Sequence, residues 1–267
     1  MGKIELDHTG SGSGITLSSD GTSLLLDGTA IGGGGGGSDP DLYRDNASSA
    51  TTPVASGTNA VAMGDTAVAS GDNAFALGND TDATGLNSLA LGKGAQAVST
   101  RCIAIGLNAS ASADRAISIG NNGNVVTATY GTSIGSGSSG GGSTVAGSGA
   151  VALSNARAGG SDSFAAIIAD NTSSYGATGS GSAAIMNYAK ASGSNSGAFG
   201  FGANATNTMA YAFGAQTFAT GNSSVTLGRN SLASATYSIC IGNSGQNNIQ
   251  SSIKFSGSQH ANQGDAQ

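Results

Sequence analysis

Short segments that alternate large apolar with small residues return along the chain every 14 residues. The first series reads AVAMG, AFALG, SLALG, CIAIG and AISIG and occupies residues 60–64, 74–78, 88–92, 102–106 and 116–120. A second series of seven segments begins with AVALS at 150–154, contains four extra residues before SAAIM at 182–186, and ends with SICIG at 238–242. A fixed period of this length is typical of solenoids, in which each repeat adds one coil.

A weaker segment follows half a period after many of these, as in AVASG at 67–71, AKASG at 189–193 and TFATG at 217–221. Each coil therefore holds two short strands, a first strand and a second strand. Glycine at many strand ends supplies the positive φ angles that sharp corners require. Stacked coils pair their strands in parallel, and the pattern predicts an all-β parallel β-solenoid, or β-roll, with 14-residue coils.

The first strands are apolar or small on both faces. Val61 and Met63 alternate with alanine in one coil, and Ile103 and Ile105 do so in another. A strand that is apolar on both faces is usually buried on both, but a two-stranded coil has a single interior. We therefore expect first strands of several chains to meet around a common axis. The residues leave open which face lines the coil, although small side chains permit close approach and favour burial of the small face between chains. The second strands alternate small with polar residues and can leave one face in water.

The repeated AVAMG, AFALG, SLALG and CIAIG segments, with A-x-A-x-G half-turns between them, resemble the head repeat of trimeric autotransporter adhesins of the YadA type. The resemblance covers residues 59–120 clearly and residues 150–243 with more drift. It implies a homotrimer of left-handed parallel β-rolls.

The chain departs from that family at both ends. It shows no secretion signal, no long coiled-coil stalk and no membrane-barrel segment, and nowhere do about 18 apolar residues run together. Bacteriophage fibres and spikes carry similar repeats and are assembled without export. We therefore expect a virion protein that is assembled in the host cytoplasm and does not insert into a membrane.

The pattern divides the chain into six parts. Residues 1–31 form a small N-terminal β attachment module with a hairpin signal at Asp20–Gly21, and they resemble the opening segment of virion proteins of marine phages. The other parts are a Gly-rich linker, a five-coil block, a Gly/Ser-rich irregular connection, a seven-coil block and a polar C-terminal tail, at 32–58, 59–120, 121–149, 150–243 and 244–267.

Two of these parts remain open to more than one interpretation. The connection at 121–149 is either an excursion or a loosened set of repeats, with GTSIG at 131–135 as a degenerate turn. The tail at 244–267 is either a trimer cap or a disordered end.

Composition limits the possible partners. The chain has 267 residues, of which only 9% are charged, and its net charge is −6. An acidic chain without a basic stretch offers no electrostatic hold on nucleic acid, so we expect no nucleic-acid partner.

Catalytic, cofactor and metal chemistry finds little support, and we expect no enzyme and no cofactor. His8 and His260 lie outside the repeats near opposite ends. Cys102 and Cys240 are several coils apart, too far for a disulfide, and are expected to be buried free thiols. No two aspartates of the repeats are one period apart, as a stacked pair of glycosidase carboxylates would require, although Asp80 and Asp82 share a strand face.

Aromatic residues concentrate in the second block. Phe199, Phe213 and Tyr211 occupy the large apolar positions of first strands and are expected in the core. Tyr175 lies beside the four extra residues and is the candidate for receptor binding, since exposed aromatic rings stack on sugars and anchor interfaces.

These observations predict a structural virion protein, a trimeric and tail-associated phage fibre or spike that serves in host attachment. Its partners would be itself as a homotrimer, other virion proteins through the N-terminal module, and a glycan or protein of the host surface. The alternatives are a glycan-depolymerising tailspike and a bacterial cell-surface adhesin.

Overall fold

The structure is a computed structural model of the chain, and it describes residues 51–121, 123–135, 143–168 and 174–257 together with the backbone of four N-terminal strands. Contacts divide the chain into two units, residues 1–44 and 45–267. Every regular element among the described residues is a β-strand. This part of the chain accordingly has no helix that could cross a membrane.

The N-terminal unit contains a four-stranded antiparallel sheet. Its strands are Ile4–Leu6, Ile15–Ser19, Leu24–Leu26 and Thr29–Ala30, paired in chain order. The second and third strands pair Leu17 with Leu26. A role in attachment stays a prediction.

The second unit is a parallel β-solenoid with two sheets of fourteen strands each, which confirms the predicted fold. The first strands of successive coils form one sheet, called here the first-strand sheet: Val61–Met63, Phe75–Leu77, Leu89–Leu91, Ile103–Ile105, Ile117–Ile119, Thr132–Ile134, Val151–Leu153, Phe164–Ala166, Ala183–Ile185, Gly197–Phe199, Tyr211–Ala215, Val225–Arg229, Ile239–Asn243 and Ile253–Ser256.

The second strands form the other sheet, the second-strand sheet, and most of them have only two residues: Val54–Ala55, Val68–Ala69, Asp82–Ala83, Gln96–Ala97, Ser110–Ala111, Val125–Val126, Thr144–Val145, Arg157–Ala158, Gly176–Ala177, Lys190–Ala191, Asn204–Ala205, Phe218–Ala219, Leu232–Ala233 and Gln246–Asn247.

The register between coils follows the sequence period. Leu89 pairs with Ile103 and Ile103 pairs with Ile117, so equivalent residues stack along the solenoid. Thirteen steps of about 4.8 Å give a shaft about 60 Å long.

Two first strands lie outside the two predicted blocks. Thr132–Ile134 lies within 131–135, where the degenerate turn was noted, and pairs with both Ile117–Ile119 and Val151–Leu153. Ile253–Ser256 lies in the predicted tail and pairs with Ile239–Asn243. The ladder therefore continues through the region interpreted as an irregular connection, because backbone pairing tolerates loss of the side-chain motif and extra residues between strands.

Small side chains fill the interior of each coil. The second residue of nearly every first strand and of nearly every second strand points inward and has little or no exposed surface, as Ala104, Ala97 and Ala205 illustrate. The small face of the first strands thus lines the coil interior. The expectation that this face is buried between chains is wrong, because two sheets joined by short corners, mostly of four or five residues, leave room only for Ala, Ser, Thr, Cys and a few Val, Ile and Asn side chains.

The corners depend on left-handed backbone conformations. Asn59, Asn73 and Asn87 occupy one such corner position in three successive coils, with φ near 55°. Asn73 donates from Nδ2 to Asn87 Oδ1 over 3.1 Å, and Asn59 donates in the same way to Asn73 over 3.3 Å. Asparagine tolerates this conformation better than most residues, and its stacked amides link neighbouring coils.

A second corner position requires glycine in most coils. Gly106 has φ of +120°, and a Cβ added there would lie 2.0 Å from the carbonyl oxygen of Gly120 in the next coil. Glycine removes both the steric and the conformational cost, so adjacent coils approach within backbone contact.

Enlarging an interior residue is expected to destabilise the solenoid. Ala104→Leu should lower the urea midpoint of unfolding by the equivalent of about 1–3 kcal/mol, because the surrounding side chains cannot make room. Gln96→Leu, on the exposed face of the second-strand sheet, serves as the matched control and should change stability by less than about 0.5 kcal/mol. Equal midpoints for the two variants would contradict the assignment of the interior face.

Candidate interaction surfaces

The outer face of the first-strand sheet carries large apolar side chains in two columns. They come from the first and third residues of each strand, which flank the inward second residue. The first column contains Val61, Phe75, Leu89, Ile103, Ile117, Val151, Phe164, Tyr211, Val225, Ile239 and Ile253. The other contains Met63, Leu77, Leu91, Ile105, Ile119, Ile134, Leu153, Ile185, Phe199, Phe213, Leu227, Ile241 and Phe255. We call this surface the apolar face.

Aromatic rings form part of the apolar face in the second half of the solenoid. Phe199 and Phe213 stack with ring centroids 5.1 Å apart, and Tyr211 stacks on Phe213 at 6.4 Å. Tyr211 is 37% exposed and Phe213 is 38% exposed. The expectation that these three rings lie in the core is therefore wrong for the single chain, because an interior lined with alanine cannot hold them.

The outer face of the second-strand sheet is more polar. Its outward residues include Asp82, Gln96, Ser110, Lys190 and Asn204, each beside an inward alanine. This surface can remain in water, as the alternation predicts. The two sheets therefore present a continuous apolar face on one side of the solenoid and a mixed, more polar face on the other, where Val68, Phe218 and Leu232 also point outward.

Tyr175, the predicted receptor-binding residue, is half-buried and packs against the core. Its ring meets that of Tyr188 edge to face at 5.2 Å, and the Tyr188 ring meets that of Phe201 in the same way at 5.5 Å. Tyr188 and Phe201 are 40% and 47% exposed. The outward aromatic surface thus comes from Tyr188 and Phe201, and receptor binding by Tyr175 stays a prediction.

A contact between a charged side chain and an aromatic ring was not predicted from the sequence. Arg115 lies over the ring of Tyr130 at 5.0 Å, and its Nη1 donates to Tyr130 Oη and to Asp114 Oδ2, each over 2.7 Å. Arg115 and Tyr130 are 15 residues apart. The two residues are close because they lie in adjacent coils, one of which has an extra residue. A search at the regular spacing of 14 residues does not pair them.

Two of the described aspartates accept hydrogen bonds from backbone amides of the neighbouring coil. Asp65 Oδ1 accepts from the Thr51 amide over 2.6 Å, and Asp72 Oδ1 accepts from the Thr58 amide over 2.8 Å. Asp80 lies at a corner and Asp82 in a second strand. Among the residues that the structure describes, no three His, Cys, Asp or Glu side chains cluster as metal ligands. His8, His260 and Asp170 lie outside the described residues.

Both cysteines are free and fully buried. Cys102 and Cys240 belong to coils whose first strands are nine steps apart in the sheet. The Cys102 thiol donates to the Ser99 carbonyl over 2.8 Å. Burial raises the pKa of both thiols above the ordinary value of 9.0, although hydrogen bonds oppose the shift. Such thiols are poorly reactive and behave as small core residues.

Comparison with known protein families supports the resemblance seen in the repeats. The family model of the YadA head domain repeat (2 copies) matches residues 55–81, 83–101, 103–122, 205–231 and 219–244. These stretches lie in both halves of the solenoid and contain strands of both sheets. Repeats of this type are characteristic of trimeric adhesins. No curated protein matches the chain.

The buried thiols predict a pH dependence of stability. Because the pKa of each thiol is raised in the folded protein, the thiols of the unfolded chain lose their protons at lower pH than those of the folded chain. The contribution of the buried thiols to the free energy of unfolding is therefore fully present below about pH 9 and is lost as the pH rises further. The double variant Cys102→Ala/Cys240→Ala should therefore lose less stability than the wild type between about pH 8 and pH 10.5. Urea unfolding at a series of pH values measures the difference. Parallel curves for the two proteins would show that the thiols do not contribute.

Proposed function

We propose that the chain forms the shaft of a homotrimeric, tail-associated bacteriophage fibre or spike that serves in attachment to the host. The observation that carries this proposal is the apolar face, which runs through all fourteen coils. The YadA head repeats and the solenoid fit an adhesin or a fibre-like protein. The virion is the setting that we propose for it.

The size of the apolar face supports association. A sheet about 60 Å long and about 10 Å across presents about 600 Å² of surface. This area lies at the upper limit of the largest apolar patches on monomeric proteins and approaches the roughly 800 Å² that each partner buries in a standard interface. Burial of the apolar face in an oligomer would give the first strands the two-sided burial that their composition favours.

The proposed number of chains and their parallel direction are inferred from the match to the YadA head repeat. The YadA head repeat is characteristic of trimeric adhesins. Three parallel chains around one axis would place equivalent coils at the same height, so like residues meet like residues: a layer of Ile103 and Ile105, then a layer of Ile117 and Ile119. A rigid rod with a dry apolar axis and a polar outer surface would result.

Two features support cytoplasmic assembly and a mechanical role. Both cysteines are free, which is usual for proteins that fold in a reducing compartment. Asp65 and Asp72 hold backbone amides. Carboxylates used in this way favour a non-catalytic role over a depolymerising one.

A charge on the apolar face is expected to prevent trimerisation. Ile105→Asp would place three carboxylates near the axis in an apolar layer, which is costly without partners. In sedimentation equilibrium the wild type should have three times the 25.4 kDa mass of one chain, about 76 kDa, and the variant should be a monomer. Gln96→Asp in the adjoining second strand is the matched control and should remain a trimer. A wild-type chain that is a folded monomer would overturn the proposed assembly.

The virion assignment predicts that the chain is part of the mature particle. Mass spectrometry of density-purified particles should detect its peptides in a constant ratio to those of the tail proteins, and antibodies to the chain should reduce adsorption to host cells. A trimer that is absent from particles and present on the bacterial surface would instead identify a cell-surface adhesin.

A further inference from the structure

The polar side of the solenoid carries a basic and aromatic patch, and from it we infer a binding site for a carboxylated saccharide. The patch comprises Arg157, Lys190 and Asn204 on second strands and Tyr188 and Phe201 at the adjoining corner. This inference rests on the proposed function, since it names the chemical class of the receptor that the shaft would bind.

Aromatic and aliphatic side chains replace the usual corner residues in this part of the solenoid. The corner that follows each first strand reads Gly64–Asp65–Thr66 in one coil and Gly78–Asn79–Asp80 in the next. In two later coils Ile167 and Met186 occupy the position of this glycine. Tyr188 occupies the third position of the Met186 corner, and Phe201 occupies the second position of the corner in the next coil. All four of these side chains are exposed. A contiguous apolar surface of this kind on a polar corner marks a contact site.

The geometry of the rings favours a sugar. Tyr188 and Phe201 meet nearly at right angles, with an interplanar angle of 86°, so they present surfaces that face in different directions. Exposed aromatic faces stack on the apolar C–H face of a pyranose ring, while the Tyr hydroxyl supplies a polar contact at the edge.

The charged part of the patch favours an acid. Gly176 lies between Arg157 and Lys190 in the ladder, so no side chain separates the two cations, whose Cα atoms are two strand steps or about 10 Å apart. The outward residues of the described second strands from Thr144 to Asn204 include no carboxylate. Although the net charge of the chain is −6, this surface is locally positive and attracts an anion.

Two polar atoms in the patch lack partners. Arg157 Nε and Asn204 Oδ1 are buried and have no hydrogen-bond partner among the described residues. Guanidinium groups pair with carboxylates through two parallel hydrogen bonds, and an amide oxygen accepts from a hydroxyl. A sugar acid supplies both groups in one ring, which a neutral glycan or an apolar peptide does not.

The site would be accessible in the proposed trimer. Arg157 and Lys190 belong to the second-strand sheet, on the opposite side of the solenoid from the apolar face. Assembly through the apolar face therefore leaves the second-strand sheet on the outside of the shaft.

The experiment is binding of the full chain to an array of oligogalacturonate and oligosialic acid beside their methyl-esterified, neutral counterparts. The wild type should retain one or more of the acidic glycans and bind its ester at least about tenfold more weakly, as expected for loss of a charge-assisted hydrogen bond. Arg157→Gln/Lys190→Gln should bind the acid at least about tenfold more weakly, and Tyr188→Ala/Phe201→Ala should weaken both acid and ester binding.

The matched control is Lys93→Gln/Arg229→Gln, which removes the same charge from exposed residues elsewhere and should bind as the wild type does. Retention of neutral glycans as strongly as acidic ones, unchanged binding by the Arg157→Gln/Lys190→Gln variant, or no retention of any acid would overturn the inference. Sedimentation equilibrium of the same samples separates this failure from failure of the proposed function, because a stable trimer that ignores acidic glycans contradicts only the inferred ligand.

Discussion

The narrow interior of the coil is the constraint on which the rest of the structure depends. Two sheets joined by tight corners leave space for little more than a methyl or hydroxymethyl group from each strand, as the fully buried Ala90, Ala104 and Ser118 show. Large apolar side chains cannot enter this space and must point outward. The chain therefore acquires an apolar outer face because its interior is small, and this face is the physical basis of the proposed trimer.

The corners contribute a second constraint, which acts on the backbone. Coils stack closely because Gly106 and its equivalents place no Cβ between neighbouring carbonyl groups, and because asparagines such as Asn73 accept a left-handed conformation and bind the next coil. Other corner side chains, such as Asp72 and Arg115, add hydrogen bonds to the neighbouring coil, and the rest point into solvent. Departures such as Tyr188 and Phe201 are tolerated there, so the corners can acquire specific surfaces while the ladder stays intact.

The sequence predicts the features that depend on period and alternation. The spacing of 14 residues predicts parallel stacking and the register of Leu89, Ile103 and Ile117. It could not decide which face is interior, because both faces of the first strands are apolar or small and the width of the coil is a property of the corners. Phe199 and Phe213 were assigned to the core for that reason. The strand Thr132–Ile134 lies within the degenerate GTSIG turn that the sequence suggested, whereas Ile253–Ser256 lacks the repeated motif and is revealed by backbone pairing alone. The basic and aromatic patch was also hidden, because its residues come from separate coils.

The two sheets share one interior but present different outer surfaces, and this separation would let one repeat serve both the proposed assembly and the proposed recognition. In the second strand Lys190–Ala191, the Lys190 side chain points outward and only the Ala191 side chain points into the interior. Changing the outward residue leaves the interior packing and the apolar face untouched. The outer surface of the second-strand sheet can therefore carry charge, aromatic rings or hydroxyl groups at any height along the shaft. The proposed recognition would then be limited by which side chains adjacent coils bring together, whereas the proposed assembly would depend on the uniformity of the opposite face.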